Sequence, residues 1–239
     1  MLMQNVGVIA KLQPAGDGGL VVVFGEKIAP GVHEQVQEFV HSLQKLQITA
    51  VREIVPSYCS VMIYYDVLQL SRKEMCRLVL DALEKLEPFL SSLSKVLHVP
   101  VCYDGVLAPD MDCVLRMTGL SKKELLNILT SKLHLVYLTG FTPGFPYMGN
   151  LPFSVPRQSS TRRAIPPGSV GIAGNQTGIY TVVSPGEWNI IGRTPLKIFD
   201  AKRANPFLLT AGDYVQFEII EIGEYFTLKR KIENGYYQP

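Results

Sequence analysis

The side chains in this chain best suited to chemistry on a small anion are three arginines, Arg162, Arg163 and Arg193. A guanidinium grips a carboxylate or phosphate through two parallel N–H donors and stays charged at any accessible pH. All three fall within residues 137–200, which hold much of the chain's glycine and proline. Strand-type residues are threaded between these punctuators: Phe141, Phe145, Tyr147, Ile172, Ile179, Tyr180, Val182, Val183, Trp188, Ile190 and Ile191. Glycine admits positive φ, and proline fixes φ and removes a donor. The segment therefore reads as short strands joined by loops of specified shape, the kind of loop that carries binding surfaces. Backbone amides in turns at Gly144, Gly174 and Gly178 suit an anion-binding concavity. Gln176, Thr177 and Tyr180 are placed to orient a small polar ligand.

Other chemistries lack their residues. There is no G-x-S-x-G and no H-E-x-x-H. The glycine-rich stretch 14–19 is not followed by the Lys-Ser or Lys-Thr of a phosphate loop. His33 and His41 share a helical pattern but are not four apart, so no metal site is expected. Cys59, Cys76, Cys102 and Cys113 form no C-x-x-C pair and read as free thiols in a reducing compartment. Net charge is +2 with no basic stripe, which excludes a dedicated nucleic-acid binder. The longest uncharged stretch, 133–156, holds four prolines and three glycines and cannot be a membrane helix. The N-terminus lacks a signal-peptide pattern, so a soluble cytoplasmic protein without membrane association is expected.

The elements that must position these residues follow from periodicity. Strands are expected at 7–12 and 19–24. Val32, Val36, Phe39, Val40, Leu43 and Leu46 form one face of a helix entered at Pro30. Strands at 51–56 and 59–65 precede a second helix, capped by Ser71 and Glu74, with Leu86 and Leu90 on its stripe and an end near Pro88. A boundary between Ser94 and His98 gives two domains, 1–94 and 95–239. The second opens with a strand at 96–103 and two short helices, 112–118 and 121–130, the latter with a Ser121–Glu124 capping box. From there the chain is expected to be all-β, ending in strands at 214–222 and 225–232 that help to close a barrel.

Four runs of residues carry a family likeness: Y-L-T-G-F-T-P-G-F-P-Y-M-G (137–149), I-P-P-G-S-V-G-I-A-G-N-Q-T-G-I-Y (165–180), S-P-G-E-W-N-I-I-G-R-T-P-L-K-I-F-D (184–200) and G-D-Y-V-Q-F (212–217). V-P-V-C-Y-D (99–104) and P-D-M (109–111) extend it. The chain resembles the family of 5-oxoprolinase B subunits, also called KipI or allophanate hydrolase subunit 1. The resemblance implies an α+β protein, with a small N-terminal α/β sandwich followed by a cyclophilin-like β-barrel. It further implies a subunit of a bacterial 5-oxoprolinase that couples ATP hydrolysis to opening of pyroglutamate to L-glutamate. The partners implied are the C subunit (KipA-like) and the A subunit (LamB/YcsF-like). In one branch the implied role is instead inhibition of a KinA-like sporulation histidine kinase. The family's histidine, about ten residues before the G-F-x-P-G-F motif, is here replaced by Leu129 or Thr130, with His134 nearer.

Opening a lactam with ATP calls for an anion site, phosphate neutralisation and donors for developing charge. On this reading Arg193, Arg163 and Gln176 are the catalytic candidates. Thr142, Gly144, Phe145, Tyr147, Arg162, Gly174, Thr177, Tyr180 and Trp188 are the candidates for binding substrate or partner. With no phosphate loop, ATP is expected to be held by the assembled complex, and the chain alone is expected to be inactive.

Overall fold

A computed structural model describes residues 2–5, 8–86 and 94–236. The chain divides into two compact units, Met1–Ser92 and Leu93–Pro239. Among the described residues no helix is long and apolar enough to cross a membrane.

In the first unit, β1 (Leu2–Asn5), β2 (Val8–Pro14), β3 (Gly19–Val23), β4 (Val51–Pro56) and β5 (Ser60–Tyr65) form an antiparallel sheet in the order β1-β2-β3-β5-β4. Sequence periodicity did not announce β1. Helices α1 (Pro30–Lys45) and α2 (Arg72–Glu84) pack on one sheet face. The apolar stripe of α1 delivers Val36, Phe39, Val40 and Leu43 to Leu20, Val22, Val61 and Ile63 of the sheet. The α2 cap forms as its sequence implies: the Ser71 side chain accepts from the Glu74 amide, and the Glu74 carboxylate accepts from the Ser71 amide at 2.9 Å. The expected end of this helix near Pro88, and Leu90, lie outside the described residues. The glycine-rich stretch 14–19 is a plain hairpin turn, closed by the Ala15 amide on the Gly19 carbonyl at 2.9 Å.

The second unit runs β6 (Val96–Val101), α3 (Met111–Thr118), α4 (Lys122–Thr130), β7 (His134–Thr139), β8 (Pro146–Met148), β9 (Arg162–Ile165), β10 (Ser169–Ala173), β11 (Gln176–Ile179), β12 (Ser184–Gly186), β13 (Asn189–Arg193), β14 (Tyr214–Ile219) and α5 (Ile222–Glu233). Seven strands lie in the order β13-β10-β11-β8-β7-β14-β6. The ring closes where Cys102, just past β6, exchanges two backbone hydrogen bonds of 2.9 Å with Arg193 at the end of β13. Strands β6 and β14 run parallel; the other pairs are antiparallel. β9 and β12 form a separate two-stranded ribbon.

Alternation along the barrel strands produces two apolar layers. Val136, Met148, Val170, Ile172, Ile179, Ile191, Val215 and Phe217 point inward, where Val114 of α3 and Leu125 and Leu129 of α4 join them. Their neighbours Tyr147, Ala173, Tyr180 and Ile190 belong to an outer layer with Phe145, Ile165 and Trp188.

Residues 225–232 are not a strand, and the chain does not stay all-β: α5 spans Ile222–Glu233. The deciding pattern is Tyr225, Leu228 and Ile232, spaced three and four apart. Tyr225 and Leu228 pack with Cys102, Leu107 and Ile220, while Ile232 reaches the barrel core. Arg230 and Lys231 in the last turn and Glu224 in the first also match the charges that a helix favours at its ends.

Candidate functional site

The outer layer opens as a hollow of about 250 Å³ bordered by Phe141, Phe145, Tyr147, Tyr180 and Trp188, with Arg157, Thr161, Pro185, Gly186 and Glu187 around its mouth. Phe145 sits at the centre. Its ring meets Tyr180 and Trp188 edge-on at 5.1 and 5.4 Å and Tyr147 at 4.7 Å, geometries that suit aromatic quadrupoles. Strand pairing puts these rings side by side, because Tyr147 on β8 is opposite Gly178 on β11 and Trp188 lies against Gly171 on β10.

The glycines of the recognisable motifs make room for those rings. A Cβ on Gly178 would lie 2.7 Å from two Phe145 ring atoms and 2.9 Å from the Pro146 carbonyl. One on Gly186 would lie 2.3 Å from the Tyr180 hydroxyl, and one on Gly171 would lie 3.1 Å from Trp188. Gly178→Ala is therefore expected to push Phe145 off its site. The unfolding midpoint of the barrel unit should fall by several degrees, for an overpacking cost of about 2 kcal/mol. Trp188 is the chain's one tryptophan, so its emission spectrum should shift in the same variant.

The loop 140–145 that brings Phe145 into place is closed by the Gly140 amide on the Phe145 carbonyl (3.1 Å) and the Phe145 amide on the Thr142 carbonyl (3.1 Å). Phe141 within it takes φ +65° and is 64% exposed, an uncommon backbone state for a bulky residue and one that clusters at binding sites. Thr142 is tied through its hydroxyl to Thr181, 3.3 Å away, and Thr181 donates to the Pro143 carbonyl at 2.8 Å. Gly144, at φ +71°, leaves space that Phe207 fills.

The remaining sequence candidates lie elsewhere or are engaged in the fold. Arg162 forms a bidentate pair with Asp110, 2.7 Å from Nη1 to Oδ2, and the same Oδ2 accepts from the Ile190 amide at 2.6 Å. That carboxylate, before desolvation and charge, is the main cause holding the Arg162 pKa above its usual value. Arg163 is exposed on β9. Thr177 is buried and donates to the Gly171 carbonyl at 3.0 Å. Gly174, at φ +59°, opens the two-residue turn between β10 and β11 and is bonded to Val155, away from the aromatic hollow; Gln176 follows the turn. Arg193 borders a different, larger hollow of about 580 Å³ with Pro166, Thr181, Lys197, Asp200, Tyr225 and Lys229. Thus Phe145, Tyr147, Tyr180 and Trp188 come together, while Arg193 and Tyr147 line different hollows and Gln176 lines neither of them.

Electrostatics at the aromatic hollow follow from burial. Desolvation pushes the Tyr180 hydroxyl up to about 12, partly offset by the Trp188 backbone amide, and raises Tyr147, partly offset by Arg157. Both phenols are therefore neutral donors at ordinary pH. Among the described residues, no group of three or more histidine, cysteine, aspartate and glutamate side chains is placed to hold a metal ion, and all four cysteines are free. His134 is 1% exposed, and its Nε2–H donates to the Leu129 carbonyl at 2.7 Å. Burial lowers its pKa to about 4, so it is a neutral packing histidine. Sequence reasoning missed Arg157 and Glu187. Arg157 sits in a polar loop without periodic signal, while Glu187 stands beside Trp188 in the S-P-G-E-W run.

Residues 10–209 match the family model described as carboxyltransferase domain, subdomain C and D. The 5-oxoprolinase B subunit of Bacillus subtilis is 33% identical over 237 residues, covering 92% of this chain and 97% of that protein. The crystal structure of TTHA0988 is 32% identical with a TM-score of 0.71 over 85% of this chain, which spans only 40% of that longer chain. The Kluyveromyces lactis urea amidolyase is 20% identical with a TM-score of 0.83; it covers all of this chain, which spans 16% of the amidolyase, and shows likeness of fold. With the family model matched across both units and the Bacillus protein matched nearly end to end, the chain belongs to the carboxyltransferase subdomain C and D family and, within it, to the 5-oxoprolinase B subunits.

Proposed function

We propose that this chain is the B subunit of an ATP-dependent 5-oxoprolinase, acting with its A and C companions. The observation that carries the reading is the 33% identity extending over 97% of the Bacillus subtilis protein. The chemistry fits a shared site. A five-membered lactam is a resonance-stabilised amide, and transfer of a phosphoryl group to its oxygen makes the ring carbon open to attack by water. Net ring opening yields glutamate, ADP and phosphate. Such a reaction needs a nucleotide cradle, yet no phosphate-loop motif is present here. What this chain offers is a shaped, mostly apolar hollow with a cation and an anion at its mouth. We assign the nucleotide to a companion protein and to this chain a share in holding the organic substrate.

Reconstitution tests the assignment. Combined with its A and C companions, the chain should support ADP release that depends on 5-oxoproline, and leaving it out should reduce the rate to background. Undiminished activity without this chain would refute its place in the complex. Turnover by the isolated chain at the full complex's rate would refute the division of labour.

A further inference from the structure

The hollow beside Arg193 and the aromatic hollow differ in what their linings can recognise. In the larger one Lys197 stands 4.0 Å from Asp200 and Lys229 stands 4.0 Å from Glu233, and Arg193 is hydrogen-bonded to Tyr225. The aromatic hollow is different. Its walls are ring faces and edges, and Arg157 at its mouth is exposed, with no ion-pair partner among the described residues. Across the same mouth Glu187 accepts from the Thr161 hydroxyl at 2.7 Å and keeps further acceptor capacity. The hollow is also built into the strands: Gly171, Gly178 and Gly186 are each crowded by one of the rings that line it. A space of about 250 Å³ suits a small ring with one or two substituents and is too small for a nucleotide.

Resting on the assignment above, we propose that the aromatic hollow is the 5-oxoproline site. The flat lactam ring packs against Trp188 and Tyr147, the carboxylate pairs with Arg157, and the lactam N–H points to Glu187. The ring carbonyl is left facing the open mouth, where a companion protein can present the nucleotide. Arg157 is the specificity determinant in this arrangement, because an arginine fork recognises the one charged group that the substrate carries. The rings supply an apolar surface for the ring methylenes.

The test uses the assembled complex and the full chain. In the complex, Arg157→Gln should raise KM for 5-oxoproline by about tenfold or more, the worth of a charge-assisted hydrogen bond, and leave KM for ATP nearly unchanged. In the free chain, Trp188 reports occupancy directly. Its fluorescence should change saturably with 5-oxoproline, and about tenfold more weakly with 2-pyrrolidinone, which lacks the carboxylate. Where the complex is active, KM decides: an unchanged KM for 5-oxoproline in the Arg157→Gln complex overturns the site and leaves the role in the complex standing. The site is equally overturned if that variant merely fails to assemble, while wild-type chain gives a flat fluorescence trace. If no wild-type complex turns over 5-oxoproline, the role in the complex fails. The titration then decides the hollow alone, a saturable response supporting it and a flat trace overturning it.

Discussion

Asp110→Ala is expected to destabilise the barrel unit by about 3 kcal/mol, the cost of leaving a buried charge pair with one member. The carboxylate is only 6% exposed and serves three donors at once: two guanidinium nitrogens of Arg162 and the backbone amide of Ile190. Arg162 is partly exposed, so water can recover some of its loss, whereas the Ile190 amide is buried and left without an acceptor. The backbone bond from the amide of residue 110 to the Ile190 carbonyl, 2.9 Å, is retained in the variant, so the loss is that of the side chain alone. A thermal scan should show the barrel transition lowered by roughly 10 °C, on a scale of a few degrees per kcal/mol for a unit of this size. Asp110→Asn keeps an acceptor in place and removes only the charge, so its loss should be clearly smaller. Equal midpoints for wild type and Asp110→Ala would mean that the pair contributes nothing.

The second large effect is on acid stability. His134 has its pKa lowered from 6.5 to about 4, chiefly by desolvation, with its bond to Leu129 opposing the shift. In the unfolded chain it titrates near 6.5. Between these values the unfolded state binds the proton and the folded state does not, so stability rises with pH across this window. The contribution is fully present above the unfolded value and is lost as pH falls towards 4. By pH 4 the loss amounts to about 3 kcal/mol. Chemical denaturation of the barrel unit at a series of pH values from 7 to 4 should show this slope, and His134→Gln should flatten it. His33 carries a similar depression in the first unit, where it lies buried on α1, so the two units' transitions must be followed separately. An unchanged slope in His134→Gln would place the acid sensitivity elsewhere.

Much of the architecture was legible because its signals are local. The α1 stripe and both Ser–Glu capping boxes reappear with the expected residues, since each depends on partners within one or two helical turns. The reading failed at 225–232, which was expected to be a final strand paired to 214–222 and is helical. The helical spacing of Tyr225, Leu228 and Ile232 was present but competed with strand-forming side chains. The site was half legible. Phe145, Tyr147, Tyr180 and Trp188 stood out as large rings among glycines, and the rings are the reason for the glycines. Arg162 looked like a free cation in a polar loop, because its partner Asp110 lies 52 residues earlier. No periodicity links them; only the P-D-M run hinted that position 110 mattered. Arg157 and Glu187 reach one mouth through barrel closure, a long-range event with no local trace.

That closure has a consequence for how the polypeptide is made. Lys95 and Asp213 are hydrogen-bonded although 118 residues apart, because β6 pairs in parallel with β14. During translation β6 leaves the ribosome early and must wait, with one edge uncovered, until β14 follows. The α/β unit ahead of it builds its five-stranded sheet from its own strands and can mature in the meantime. The barrel unit should accordingly be the slow step of biogenesis and the step most dependent on holdase chaperones, since its seam is set by its most distant partners.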